Sequence, residues 1–298
     1  MLKRTVVGLT VGLFAILGMG GSARPIPPPG LIGDFNWHGS GELFGGFSAL
    51  NVSADGARFV ALSDQGGIVA GQFQRNAAGV IVGVTNGVVE PLLGPTGKRL
   101  GQFNTDSEGM AVAPDGTIFV SFEGPAMVRR YAHLGASAET MPKHPDFAFM
   151  AHNTSLESLA IGADGTLYTL PETSGVMDRP FKIYRLRNGA WDQPTSIPRR
   201  GWFLVSDATV GPDGRFYVLE RQFLGFRGFA SRIRRFTFEG DALTHEEQLL
   251  RTMPGTHDNL EGLSVWRDPA GHLRATMVSD DNFLFFFRNE IVEYRLPD

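Results

Sequence analysis

Acidic residues recur at fixed places around short hairpins in this sequence. Residues 106–124 contain an apolar run, a Pro-Asp-Gly turn and a second apolar run. Glu108 enters the first run and Glu123 follows the second, so a β-hairpin would bring both carboxylates to the end away from its turn. Converging carboxylates can hold a hard cation, or keep protons at raised pKa values.

The same arrangement occurs around four other turns of the chain. If the first strand of every hairpin lines a common axis, the acids at the strand starts form one ring near that axis, and the acids after the second strands form another. The strand starts carry Glu108, Glu157, Asp207 and Glu261. The strand ends carry Asp64, Glu123, Glu172, Glu220, Asp280 and Asp281.

These rings predict a cation site. Crowded carboxylates repel one another and raise each other's pKa unless a cation or a basic side chain neutralises them. Oxygen ligands suit Ca²⁺ or Mg²⁺ better than zinc, so we expect a divalent cation, Ca²⁺ in the first place. The candidate ligands are Glu108, Glu157, Glu172, Asp207, Glu261, Asp280 and Asp281. In the alternative interpretation, each acid only accepts hydrogen bonds from backbone N–H groups at a strand end.

Three residues are candidates for catalysis. Arg221 directly follows Glu220 at a strand end. Its guanidinium group could bind a phosphate or carboxylate through two parallel hydrogen bonds, or form a structural ion pair with a neighbouring acid. His257 lies just before the last acidic strand start, and an imidazole can exchange a proton near neutral pH. The sequence has no cysteine, no Gly-x-Ser-x-Gly elbow, no P-loop and no His-Glu-x-x-His motif.

The spacing of the hairpins predicts an all-β fold, a single β-propeller. Asp-Gly pairs begin at positions 55, 115, 164 and 213, and a looser turn follows at residues 268–271. A period of roughly 40–50 residues built from short strands is typical of propeller blades. We count five blades, and a sixth remains open. Residues 181–186 and 233–238 alternate as outer strands do, and residues 290–296 are expected to close the ring with a strand near the N-terminus.

The N-terminus predicts export. Lys3 and Arg4 precede an apolar stretch and a run of small residues that ends at Ala23. This order is typical of a cleaved signal peptide, here residues 1–23, and the apolar stretch is shorter than the roughly 20 residues of a membrane span. Residues 24–44 then form a leader with an N-terminal strand, and residues 45–298 form the propeller domain. Because there is no cysteine for a disulfide, we expect a bacterial periplasmic or secreted protein.

Composition excludes one class of partner. The net charge is −4 over 298 residues, and no cluster of lysine and arginine is large enough to attract nucleic acid. We expect a monomer without a stable membrane span after signal cleavage, which acts on a small-molecule ester or phosphoester.

Several motifs together resemble a known family. The repeated hairpin, residues 219–223, residues 259–262 and residues 279–283 are similar to the bacterial phytase-like domain named for the "esterase-like activity of phytase". The resemblance extends over about residues 45–296, although the first repeat has Gly45-Gly46 where the others place an acid. It implies a secreted propeller and calcium-dependent hydrolysis of phosphate or carboxylate esters. A gluconolactonase-like lactonase and a non-catalytic binding propeller remain alternatives.

Overall fold

A computed structural model describes residues 25–101, 105–151, 154–284 and 287–298. The predicted signal peptide and the start of the leader lie outside these residues. Within them, no helix is long and apolar enough to cross a membrane. Helical structure in these ranges consists of two short 3₁₀ segments, Pro145–Phe149 and Gly225–Arg227.

Five antiparallel sheets form the blades of a propeller, so the predicted fold and the count of five are confirmed. The first strand is β1 (Leu31–Asn36). Blade 1 contains β2 (Phe47–Val52), β3 (Arg58–Ser63), β4 (Gly67–Arg75) and β5 (Ile81–Asn86), with β6 (Glu90–Pro91) also paired to β4. Blade 2 contains β7 (Ser107–Val112), β8 (Ile118–Phe122), β9 (Met127–Tyr131) and β10 (Glu139–Thr140).

The remaining strands build three more blades. Blade 3 contains β11 (Leu156–Ile161), β12 (Leu167–Pro171), β13 (Phe181–Arg187) and β14 (Ala190–Ile197). Blade 4 contains β15 (Leu204–Val210), β16 (Phe216–Phe223), β17 (Phe229–Glu239) and β18 (Ala242–Arg251). Blade 5 contains β19 (Asn259–Arg267), β20 (Leu273–Asp280) and β21 (Glu290–Arg295), and β1 pairs with β21 as its fourth strand. The two ends of the described chain therefore close the ring together.

The hairpin turns follow from their residue types. In blade 2 the N–H of Gly116 donates to the carbonyl of Ala113 at 2.9 Å, and Gly116 has φ of +88°. A left-handed residue at this point of the turn favours glycine, which has no Cβ to clash. The β-branched and aromatic residues of β8 favour an extended strand after the turn, and β7 pairs with it along its apolar residues.

The apolar core lies between the blades. Each of the five buried apolar clusters joins residues of two neighbouring blades. Met110 of β7, for example, belongs to the cluster of Ala49 and Leu62 from blade 1. Because both faces of each blade pack against a neighbour, the innermost strands are fixed around the axis and the ends of these strands hold side chains at defined places.

Candidate functional site

Each blade carries a β-bulge at the start of its innermost strand. In blade 3, Leu156 pairs with Pro171 and Ser158 with Leu170, so Glu157 is left out of the ladder. A bulge re-aims a side chain that the regular pleat would send elsewhere. In blade 2, Glu108 and Gly109 together lie opposite a single residue. The bulged residues of the five blades are Ser48, Glu108, Glu157, Ser206 and Glu261.

A second set of five equivalent positions lies at the ends of the next strands. The backbone N–H groups of Asp64, Glu123 and Glu172 donate to carbonyls just before the inner strands, at 2.8, 2.9 and 3.0 Å. In blades 4 and 5 the equivalent pairs are Arg221 with Leu204 and Asp280 with Asn259. Four blades therefore place an acid at this position, and blade 4 places an arginine.

These two sets of residues enclose one cavity, which we call the axial cavity. Its volume is about 140 Å³. Eight of the ten equivalent positions line it: Asp64, Glu108, Glu123, Glu157, Glu172, Arg221, Glu261 and Asp280. The other two positions carry serines: the Ser48 hydroxyl donates to the carbonyl of Ser107 at 2.8 Å, and Ser206 is buried. Among the residues that the structure describes, the cavity thus brings together seven carboxyl groups and one guanidinium group.

Arg221 is held by three of these carboxylates. Its Nη2 lies 3.0 Å from Glu172 Oε1 and 3.3 Å from Glu157 Oε1, and its Nη1 pairs with Glu261. The side chain is 17% exposed, so the guanidinium group still reaches the cavity. Burial opposes its charge, but Glu157 and Glu172 outweigh burial and raise the pKa of Arg221. The arginine is therefore both positioned and kept protonated by the ring.

The acids on the rest of the ring have perturbed pKa values. Burial, with the neighbouring Glu108 charge, raises the pKa of Glu123 to about 9. Burial raises the pKa of Asp280 to about 6. Burial and the charge of Asp280 raise the pKa of Asp64 well above its usual range, and burial with Glu157 does the same for Glu108. Because one guanidinium group cannot balance seven carboxylates, ionisation of the ring leaves excess negative charge.

By the type of its donor atoms, though not by their present spacing, the ring suits a hard divalent cation. Asp64 Oδ1 is buried and makes no hydrogen bond within the described residues. Carboxylate oxygens are the ligands that Ca²⁺ takes, commonly six to eight at a time. Among the described ranges, no three acids or histidines already converge as a complete cation site. A bound cation would therefore have to draw the carboxylates of Asp64, Glu108, Glu123 and Asp280 together.

Two predicted ligands are not among the residues that line the cavity. Asp207 is not equivalent to Glu157 in register. The bulge in blade 4 falls on Ser206, and Asp207 is the next residue. Its side chain instead accepts hydrogen bonds from the N–H groups of Leu263, at 2.7 Å, and Ala208, at 2.8 Å. Asp281 accepts from the N–H groups of Gly46 and Phe283 and from the Asn289 amide. Through these hydrogen bonds, both carboxylates connect neighbouring loops and blades.

Two predicted catalytic residues are also outside the cavity lining. Glu220 precedes Arg221 on β16, so its side chain points to the opposite face of the strand. There it is fully buried and pairs with Arg232 at 2.6 Å and Arg234 at 2.7 Å. His257 is buried, with Nε2 2.7 Å from the hydroxyl oxygen of Tyr294 and Nδ1 3.9 Å from Glu290. The structure thus brings only Arg221 of the three to the acids.

We expect Glu220→Gln to lower the free energy of unfolding by roughly 3–5 kcal/mol, because removing one partner leaves buried charges uncompensated. The measurement is urea denaturation at neutral pH. The matched control is Glu239→Gln, since Glu239 pairs with an exposed histidine and is itself exposed. A surface change of this kind stays within about 0.5 kcal/mol. Equal midpoints for the two variants would show that the Glu220 cluster does not stabilise the fold.

Comparison with known proteins gives a family. The family model for the phytase-like domain, described as esterase-like activity of phytase, matches residues 42–283. No curated protein matches the chain. A solved gluconolactonase from Xanthomonas campestris is 18% identical, with TM-score 0.45 over 84% of this chain and 72% of that one. The PQQ-bound aldose sugar dehydrogenase from Streptomyces coelicolor is 14% identical, with TM-score 0.48 over 90% and 99% of the two chains.

Proposed function

Because the chain belongs to the phytase-like family, described by the esterase-like activity of phytase, we propose that its axial cavity hydrolyses phosphate or carboxylate esters with the help of a divalent cation. One observation carries this proposal. A single guanidinium group, fixed by three glutamates, faces a cavity whose other described lining residues all carry carboxyl groups. Such a site can bind an ester oxygen, a cation and a water side by side.

A cation would bind in the half of the ring away from the ion pairs of Arg221. Asp64, Glu108, Glu123 and Asp280 would hold it. When bound there, Ca²⁺ would supply Lewis-acid polarisation of an ester oxygen and lower the pKa of a coordinated water. The purely oxygen donor set is the reason to place Ca²⁺ first.

The residues of the chain supply the rest of the chemistry. Arg221 binds the oxygen of the phosphoryl or acyl group on which negative charge develops, and Glu157, Glu172 and Glu261 hold its guanidinium plane still for that purpose. A ring carboxylate accepts a proton from the attacking water. When the water oxygen bonds to phosphorus the ester P–O bond breaks, and when it bonds to the acyl carbon the acyl C–O bond breaks; in both cases the leaving alkoxide takes up the proton.

A non-catalytic binding propeller is the second candidate. It is favoured by the pairing of Arg221 with three carboxylates, which lowers the positive charge available to a substrate. In that case the cation and the arginine would clamp a ligand without turning it over.

We expect Ca²⁺ to bind the mature, chelator-stripped protein and to restore hydrolysis. Calorimetric titration measures binding, and a panel of p-nitrophenyl phosphate, p-nitrophenyl acetate and a sugar lactone measures turnover. The double variant Asp64→Asn, Asp280→Asn should lose both, because it removes two carboxylates from the cation half of the ring. The matched control Glu139→Gln changes an exposed acid on the outer strand of blade 2 and should lose neither.

The outcomes separate the candidates. Binding with metal-dependent turnover of an ester supports the hydrolase. Binding without turnover of any compound supports the binding propeller. Turnover of the lactone alone would point to the lactonase, and absence of Ca²⁺ binding would overturn the cation site.

A further inference from the structure

A second cavity lies where blade 3 leads into blade 4. It has a volume of about 430 Å³ and is lined by Arg200, Gly201, Trp202, Phe203, Gln222, Arg232 and Arg251. It shares no lining residue with the axial cavity. Its volume is within the range of small-molecule sites, roughly 300–1,000 Å³. Whereas the axial cavity is acidic, the charged residues that line this one are all arginines.

Two of these arginines are placed against each other. Arg232 and Arg251 are direct partners on β17 and β18. Their guanidinium carbons lie 4.2 Å and 5.4 Å from the centre of the Phe203 ring. Like charges directly opposite each other on neighbouring strands destabilise a sheet. The fold thus keeps two arginines directly opposite each other at this place, and an anion between them would reduce their mutual repulsion.

The surrounding acids do not balance the arginines. Glu220 pairs with Arg232 and also with Arg234. Glu246 pairs with Arg200 and also with Arg234. Three guanidinium groups therefore share two carboxylates, and the fourth, that of Arg251, has no ion pair in the ranges that the structure describes. A dianion would balance the excess of two positive charges.

Glu220 also prepares Arg232 for binding. It engages Nε and Nη2 of Arg232 at 2.6 and 3.1 Å, which fixes the guanidinium plane. Arg232 is only 5% exposed and yet lines the cavity. Its guanidinium group is therefore fixed at the cavity wall and does not extend into solvent. Fixed guanidinium groups bind phosphate with directed hydrogen bonds.

An aromatic wall completes the cavity. Trp202 is 69% exposed, although a ring of this size is usually buried, and it stands beside the buried Phe203. An exposed tryptophan beside an anion site offers a flat face to the body of a ligand. We propose that this cavity binds a small aromatic phosphate monoester, with its phosphate between Arg232 and Arg251 and its ring on Trp202.

The test uses phenylphosphonate, a dianionic analogue that has no ester bond to hydrolyse, so its result is independent of the hydrolase proposal. We expect saturable binding in calorimetry and a change in tryptophan fluorescence. Arg251→Gln should weaken binding about tenfold to a hundredfold, the effect of a lost charge-assisted hydrogen bond. Trp202→Phe should remove most of the fluorescence change, because Trp37 and Trp266 are buried at 2% and 3% exposure, and the partly exposed Trp191 donates to the carbonyl of Pro142 and does not line this cavity.

Controls decide where the probe binds. Arg187→Gln, a change of an exposed arginine at the end of β13, should bind as the wild type does. Asp64→Asn with Asp280→Asn should also leave phenylphosphonate binding intact, since both residues belong to the axial cavity. Loss of binding in that double variant, equal binding by Arg251→Gln and Arg187→Gln, or no saturable binding by the wild type would each overturn the proposal.

Discussion

Arg221→Met should lower the free energy of unfolding by roughly 3–5 kcal/mol at neutral pH, the cost of leaving buried charges without their partner. Three glutamates depend on this guanidinium group, and Glu157 and Glu261 are buried. If the axial cavity is a hydrolase site, the same change should reduce turnover by about 10²–10³, as the loss of an oxyanion-binding donor does. Chemical denaturation and initial rates with saturating Ca²⁺ measure the two effects.

A second substitution tests how much of the lost stability comes from the unpaired charges. Adding Glu157→Gln to Arg221→Met removes one of the unpaired charges, so part of the lost stability should return, while hydrolysis should stay low. The interaction energy in the resulting double-mutant cycle should be on the order of 0.5–3 kcal/mol. Arg58→Met, on the exposed start of β3, is the matched control and should change stability by less than about 0.5 kcal/mol. If Arg221→Met behaved like this control in both assays, the central role of the arginine would be refuted.

Without a divalent cation, the free energy of unfolding should fall as the pH rises from about 5 to about 9. Glu123 holds its proton up to a pKa of about 9 in the folded protein and has a reference value of 4.5. Between these values unfolding releases a proton, so rising pH favours the unfolded chain. Asp280, with a pKa of about 6, adds to the loss at the acid end of this window. One such proton is worth about 1.4 kcal/mol per pH unit.

Denaturant titrations at several pH values, with a chelator present, measure this slope. Glu123→Gln cannot release the proton, so its stability should depend less on pH above about 6. Saturating Ca²⁺ should also flatten the wild-type profile, because a cation can take the place of the protons on the ring. A wild-type stability that is constant or increases up to pH 9 would contradict the raised pKa values.

Sequence was sufficient for the architecture. The spacing of the four Asp-Gly turns and the looser fifth turn indicated five blades, with a sixth left open, because one hairpin per blade leaves a local signal that needs no tertiary information. The alternation in residues 290–296 also marked the closing strand, which the structure places beside β1. Propeller strands pair mainly with their neighbours in sequence, and for that reason their order could be predicted.

The site was harder to predict, for a reason that lies in the bulges. A bulge inserts one residue into a strand and so changes which side chains face the axis. Asp207 and Glu220 are acids at the right ends of the right strands, but each is one residue from the equivalent position, which Ser206 and Arg221 occupy. Without the register of the ladder, nothing in the types of these residues shows that they point elsewhere.

One signal in the sequence could have corrected this. Glu123, Glu172 and Arg221 each follow the aspartate of their Asp-Gly turn by the same eight residues. Counting from the turn therefore places Arg221 in the ring and Glu220 outside it. Burial and the ion pairs around Arg221 could not be obtained in this way, because they depend on how three blades meet.

The five bulged residues have a consequence for how such a protein can evolve. Because Ser48, Glu108, Glu157, Ser206 and Glu261 stand outside the strand ladder, exchanging one of these side chains breaks no pairing between strands. Repeated duplication of a blade would copy its strands together with the bulged position, at which the side chain can vary. A lineage of such rings can then acquire new chemistry one blade at a time, with the architecture inherited unchanged.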